Sequence, residues 1–372
     1  MLLSVIILTY KVPYHVLLCV QSVERSIASI DAEIIVVDNN SQDETEELIT
    51  TNFERVIFQQ NSENLGFAKA YNQAVHTAKG KYVCILNPDT VLPENCFETL
   101  IPFAEKQPNF GALGPRLIDG TGHYLPESKR NVPDFKVAFK KMTGDTSRYY
   151  ANQLAQDEVG EVPVLVGAFM LVKKQAYLKI KGFDERFFMY GEDIDLSYRL
   201  TQNGFKNYYF GQVSVIHFKG ESTVKDRKYN LRFYGAMQLF QQKHFSQGFF
   251  IDKALDLSLK CLAFSKSKVA SREDRHKEKT AIFWVYKGNL EQEELKNIPF
   301  QINQILNFER EKELQKLNST LIFDLNFLKF SEVIEAFQLL KNNKNRFRIR
   351  PSNCNFILGS DTSTSRGELL KW

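Results

Sequence analysis

Short, nearly continuous aliphatic and β-branched runs mark the first hundred positions of the chain at Ser4–Thr9, Glu33–Asp38 and Lys81–Leu86. Runs of this length without polar alternation predict strands buried on both faces, the habit of a parallel sheet. Between the second and third, Phe67, Ala70, Tyr71, Ala74, Val75 and Ala78 fall on one helical face, and Gly80 supplies the stop. Helical pattern between such strands predicts βαβ units with right-handed crossovers. Residues 115–161 mix Pro, Gly and charge and predict a long loop region lying over the sheet. Val162–Val172 and Gln212–His217 add two strand candidates, and residues 225–245 a helix. Further on, Ala281–Tyr286, Thr320–Leu325, a helical Ser331–Leu340 and Arg346–Leu358 predict a second, smaller α/β unit. The expected division is therefore a main α/β domain over 1–245, a basic amphipathic linker over 246–280, and a small C-terminal α/β unit of unknown role over 281–372.

A length of 372 residues allows two cores, and 43% hydrophobic with 25% charged residues is ordinary for a soluble globular protein. The net charge of +4, without zinc-finger spacing or a long basic helix, argues against a nucleic-acid partner. Cysteines at 19, 84, 96, 261 and 354 form no CxxC and read as structural thiols of a reducing compartment. The opening Met-Leu-Leu-Ser-Val-Ile-Ile-Leu-Thr-Tyr reads as a first strand, not as a leader. No apolar run approaches the ~20 residues needed to span a bilayer. The 30 Phe and 15 Tyr suit either aromatic-lined clefts or plain core filling. The basic stretch (Lys253, Lys260, Lys266, Lys268, Arg272, Arg275, Lys277, Lys279) could lie peripherally on anionic lipid. Its interspersed Asp252, Asp256, Glu273, Asp274 and Glu278 equally suit a solvated linker helix. Arg346, Arg348 and Arg350 alternate with Phe347 and Ile349, which puts the arginines on one face of a strand: an exposed edge, or an anion site near Gly359-Ser-Asp.

In open α/β sheets ligands bind beyond the carboxyl ends of the strands. Here those ends read Thr9-Tyr10, Asp38-Asn39-Asn40 and Asn87-Pro88-Asp89, all polar. Downstream, Glu192, Asp193 and Asp195 crowd a helix start that is approached through Gly182-Phe-Asp-Glu and Phe187-Phe-Met-Tyr190. Asp193 could cap that helix, but a cap needs one acid and no such approach.

Taken in order and spacing, Thr9-Tyr10, Val37-Asp38-Asn39-Asn40-Ser41, Asn64-Leu-Gly-Phe67, Leu86-Asn-Pro-Asp89, Gly191-Glu-Asp193 and His217 resemble the family 2 glycosyltransferases. The likeness is greatest to the bacterial rhamnosyltransferase-like branch and covers roughly residues 1–245. It implies a GT-A-like, mostly parallel sheet flanked by helices, with the C-terminal α/β unit as an appendage. It implies an inverting enzyme that moves a sugar from a dTDP- or UDP-sugar donor to a hydroxyl of a glycan or lipid-linked glycan acceptor. The setting would be the cytoplasm, or the inner face of the cell membrane, in polysaccharide biosynthesis.

By the same resemblance, Asp193 is the general base of a single displacement. Glu192 would orient the acceptor or the loop, and Asp195 would support the site from the next turn. Thr9, Tyr10, Asp38, Asn40, Gly66, Asn72, Asn87 and Asp89 would contact the donor. The bland readings stay beside these: Asp38 as a turn former, Asn64 as a helix cap, Asn72 as a structural residue. Gly66 would let a diphosphate approach the helix N-terminus. Asp89 and His217 would hold a divalent metal, Mn²⁺ or Mg²⁺, with Asn87 standing where related enzymes carry a first acid. A sugar-1-phosphate nucleotidyltransferase shares such a sheet but carries a glycine-rich basic loop after its first strand. Here that position reads Thr9-Tyr-Lys-Val-Pro13. A non-catalytic nucleotide-sugar or glycan binder is the other alternative.

Overall fold

A computed structural model describes residues 1–142, 144–221, 227–246, 281–287, 298, 300–308, 318–341, 344–363 and 366–372. The basic stretch of the expected linker, with Cys261, lies outside the described residues, as do Ser222, Thr223 and Lys225.

The elements up to residue 118 are β1 Leu3–Thr9, α1 Pro13–Ser26, β2 Ala32–Asp38, α2 Thr45–Asn52, β3 Ile57–Gln60, α3 Gly66–Thr77, β4 Tyr82–Leu86, β5 Thr90–Val91, α4 Cys96–Lys106 and β6 Phe110–Ile118. The irregular region then folds as a 3-10 turn at Pro126–Ser128, β7 Lys129–Arg130, α5 Phe135–Met142 and β8 Val159–Glu161. It is followed by β9 Val164–Leu165, β10 Phe169–Lys173, α6 Lys174–Lys179, α7 Glu192–Gln202, β11 Lys206–His217 and α8 Arg227–His244.

The main sheet runs β3-β2-β1-β4-β10-β6-β11-β5, with β8 attached to β11. β1, β2, β3 and β4 are mutually parallel, β10 is antiparallel to both β4 and β6, and β11 is parallel to β6. This is the expected α/β architecture. Side chains of each central strand alternate between two cores. Val5, Ile7, Ile34, Val36, Cys84 and Leu86 pack with α1 and α4, while Ile6, Ile35, Val37, Val83 and Ile85 pack with α3 and α7. Burial on both sides is why these strands read as unbroken apolar runs.

Val162–Val172 is not one strand. Pro163, which has no N–H to give a ladder, and the bend at Val166-Gly167 split it into β9, which pairs with β7, and β10. Cys19, Cys84, Cys96 and Cys354 are free and buried. Among the described residues no helix is long and apolar enough to cross a membrane.

The C-terminal residues form β12 Ala281–Tyr286, β13 Gln304–Asn307, β14 Ser319–Asp324, α9 Phe330–Leu340, β15 Arg346–Arg350, β16 Phe356–Gly359 and β17 Glu368–Lys371. Their sheet runs β13-β12-β14-β15-β16-β17. β15 is interior, so the arginines do not lie on an exposed edge. Arg348 is ion-paired with Asp361 and Glu368, and Arg350 with Asp324, because a buried guanidinium needs carboxylates around it. One face of this sheet, with Phe323 and Phe347, packs on Phe337 of α9 and joins the same hydrophobic core as β1 and α1. Glu94, just before α4, accepts from the Phe330 and Ser331 amides at 2.6 and 3.0 Å, so it caps α9 from the main domain.

Candidate active site

A cavity of about 660 Å³ opens at the carboxyl ends of β1, β2, β4 and β11 and at the start of β10. One end is lined by Thr9, Tyr10, Asn87, Asp89, His217 and Lys219, the other by Arg130, Tyr149, Gly167, Phe188, Glu192 and Asp193.

At the first end, Asp89 is buried and its Oδ1 has no hydrogen-bond partner. His217 Nε2 stands 3.4 Å from that oxygen and 3.4 Å from Asn87 Nδ2. Burial works against the Asp89 charge, but the His217 and His15 rings outweigh it and hold the carboxyl below its usual range. The Thr9 hydroxyl is also buried without a partner. Behind this end, burial lowers His15 to about 4, and its Nε2 lies 3.6 Å from Glu221, whose carboxyl burial pushes up to about 7. Among the described residues no group of three or more His, Cys, Asp or Glu is placed to hold a metal. Asp89 and His217 put one carboxylate oxygen and one imidazole nitrogen side by side in the cavity wall. A hard, water-rich cation completed by phosphate oxygens suits that donor set.

At the second end, Tyr190 and Gly191 take left-handed φ values of 71° and 77° in succession. That bend turns the chain sharply into α7 and brings Glu192 and Asp193 to the cavity wall. Gly191 is the N-cap without a side-chain cap bond, so Asp193 does not serve as the cap. Asp193 Oδ2 accepts from Arg130 Nη2 at 2.6 Å and from the Gly167 amide at 2.9 Å, and Oδ1 from the Ile194 amide at 2.8 Å. Glu192 Oε2 has no partner. Burial first, and then the adjacent Asp193 carboxylate, push Glu192 well above its ordinary range. Three acids in the first turn also sit at the favourable end of the helix dipole.

Four of the expected residues lie outside the cavity lining. Asp38 accepts from the Ser41 amide and hydroxyl and from Gln60, the pattern of a turn former. Asn40 holds the left-handed bend of that turn at φ 66°. Asn72 uses its side-chain oxygen and nitrogen to bind Tyr177, Phe183 and Glu185, fixing the approach to α7. Asp195 is fully buried away from the cavity, bonded to Arg199, Lys243 and His244, each at 2.7 Å. Gly66 does permit a close approach, but by protein: a Cβ there would stand 2.5 Å from the Phe188 carbonyl, which accepts from the Phe67 amide. Diphosphate therefore does not find that amide free.

Residues 4–180 match the family model "Glycosyl transferase family 2", and residues 156–221 a model described as "N-terminal domain of galactosyltransferase". Over residues 4–180 the chain is thus similar to glycosyl transferase family 2. The chain is 28% identical over 250 residues to the N-acetylglucosaminyl-diphospho-decaprenol L-rhamnosyltransferase of Mycobacterium tuberculosis, covering 60% of this chain and 78% of the relative. It is 30% identical over 164 residues to rhamnosyltransferase WbbL of Escherichia coli, covering 41% and 61%. A mannosyltransferase of Pyrobaculum calidifontis, solved with GDP-Man and Mn²⁺, superposes with a TM-score of 0.48 at 16% identity over 73% of this chain and 76% of that one. The enzyme is a glycosyltransferase similar to the bacterial rhamnosyltransferases.

Arg130, Glu127 and Asn39 are among the cavity-wall residues to which the sequence reading gives no role. Arg130 sits in a stretch with no periodicity, and nothing local marks it as buried. Glu127 pairs with Lys219 across 92 positions. Asn39, next to the expected Asp38, donates to Asn64 and Gly66 and accepts from Asn61 and Leu65.

Proposed function

We propose that this glycosyltransferase moves a sugar from a dTDP- or UDP-sugar to a hydroxyl of a lipid-linked surface polysaccharide, with inversion at the anomeric carbon and Asp193 as general base. The observation that carries the reading is the single cavity that joins Asp89 and His217 at one end to Asp193 at the other. Asp89 and His217 would hold a divalent ion, Mn²⁺ or Mg²⁺. When bound, it supplies Lewis-acid neutralisation of the diphosphate as the glycosidic bond breaks. Asp193 accepts the proton of the incoming hydroxyl, the hydroxyl oxygen bonds to the anomeric carbon, and the diphosphate leaves with the electron pair. Asp193 Oδ2 accepts two hydrogen bonds, from Arg130 and Gly167, and Oδ1 only one, from the Ile194 amide, so Oδ1 keeps the lone pair for this role. Glu192, whose carboxyl burial and then the adjacent Asp193 push above its ordinary range, lines the same cavity and would orient the acceptor. The acceptor class is that in the name of the mycobacterial relative, and the basic stretch would rest on the membrane carrying it. The division into a transferase domain over 1–245, a linker and a C-terminal unit belongs to the same reading.

NMR of the product should show inverted anomeric configuration. Asp193→Asn should lower turnover by roughly 10²–10⁴-fold while Mn²⁺-dependent thermal stabilisation by the donor persists. Retained configuration, or near-normal turnover in the folded variant, would overturn the mechanism.

A further inference from the structure

β11 ends at His217, where its last sheet partner is the two-residue β5. The chain then leaves the sheet through Lys219 and Gly220 with φ values of 58° and 87°. Left-handed backbone at a lysine is unfavourable and persists only where its surroundings over-determine it. Three ties do so here. The Phe218 amide donates to the Asp89 carbonyl at 3.0 Å, Lys219 pairs with Glu127, and Glu221 is held by the C-terminal unit.

The third tie is the unexpected one. Glu221 is 3% exposed, and its Oε1 accepts from the Gly367 amide at 2.7 Å. Its backbone carbonyl accepts from Arg366 Nε at 3.1 Å. Nearby, Ser360 lies against Gly120 and Ser363 lines the cavity itself. A carboxyl taken out of water is costly unless its hydrogen bonds are met. Here Oε1 finds its donor more than a hundred residues away, in a unit outside both matched family models.

We propose that the C-terminal unit is a built part of the donor site: by gripping Glu221 through Arg366 and Gly367, it fixes the strained segment that carries His217. Glu221 is thus a positioning residue for the metal ligand, and this step rests on the metal reading given above. Loss of the grip lets Lys219-Gly220 relax and His217 swing from Asp89.

The test compares Glu221→Ala, Glu221→Gln and Lys371→Ala in the full chain. Lys371 pairs with Glu44 across the same two units but outside the cavity lining, with both side chains exposed. In the ligand-free proteins, hydrogen exchange at the amides of 213–221 should rise at least tenfold in Glu221→Ala and stay at the wild-type rate in Lys371→Ala. Mn²⁺ affinity, titrated by electron paramagnetic resonance, should fall at least tenfold in Glu221→Ala only. Glu221→Gln keeps the acceptor for Gly367 and should restore both. Should Glu221→Ala not fold, Arg366→Ala, on an exposed side chain, takes its place. Unchanged exchange and Mn²⁺ affinity in the folded variant overturn the proposal. If the wild type itself binds no Mn²⁺, the metal reading fails, and the exchange data still decide whether the C-terminal unit grips Glu221.

Discussion

Arg130 meets Asp193 at 2.6 Å in a wall where neither side chain is much exposed, so each is the other's main counter-charge. A base is useful only if its lone pair faces the substrate. Arg130 and the Gly167 amide set the rotation of the Asp193 carboxylate. The groups facing it are Arg130 on β7, Glu192 on its own helix, and Tyr149 and Lys141 behind Arg130. Arg130→Ala leaves two adjacent buried acids with no cation against them. kcat should then fall by roughly ten- to a hundredfold with the donor KM little changed, and Arg130→Lys should recover part of the loss. A donor KM that rises while kcat stays in place would make Arg130 a donor contact instead.

At the scale of elements, the polar residues off the cavity hold the helices that shape it. Asp195 ties α7 to the end of α8 through Lys243 and His244, and Lys243 also reaches Asp184 in the approach to α7. Its carboxyl lies below the usual range because His244, Arg199 and Lys243 together outweigh burial. Removing one partner of a buried cluster strands the rest. Asp195→Asn should cost about 3–5 kcal/mol in urea unfolding, while turnover at a temperature where the variant is folded stays close to normal. Lost turnover at unchanged stability would return Asp195 to the chemistry.

At the scale of the whole molecule, one hydrophobic core runs from β1 and α1 through to β14, α9 and β15, and Glu94 and Gln21 reach across to Phe330 and Ser352. The two sheets should therefore unfold in one transition, with calorimetric and van't Hoff enthalpies equal. Two separated transitions would show that the C-terminal unit stands alone. The same melts should carry the signature of His15. The unfolded chain takes its proton at 6.5 and the folded protein only at about 4. Stability from this group is thus complete above 6.5 and falls as the pH drops toward 4. His15→Gln should lose that slope, worth up to about 3 kcal/mol.

The amino-acid sequence alone determined what depends on local pattern. Unbroken apolar runs specified strands covered on both faces, and the spacing of Phe67 to Ala78 specified α3, because burial and periodicity are written residue by residue. Polar strand ends pointed to the edge where the cavity lies, since a parallel sheet leaves its carboxyl ends together. Only the tertiary structure decided which of those polar groups face the cavity. Asp38 and Asn72 have the right type and place but spend their hydrogen bonds on neighbouring backbone and side chains. Arg130 and Glu221 gain their meaning from Asp193 and Gly367, partners 63 and 146 positions away. Ion pairs and buried hydrogen bonds over such separations leave no periodic trace, because they are fixed by packing and not by the chain on either side.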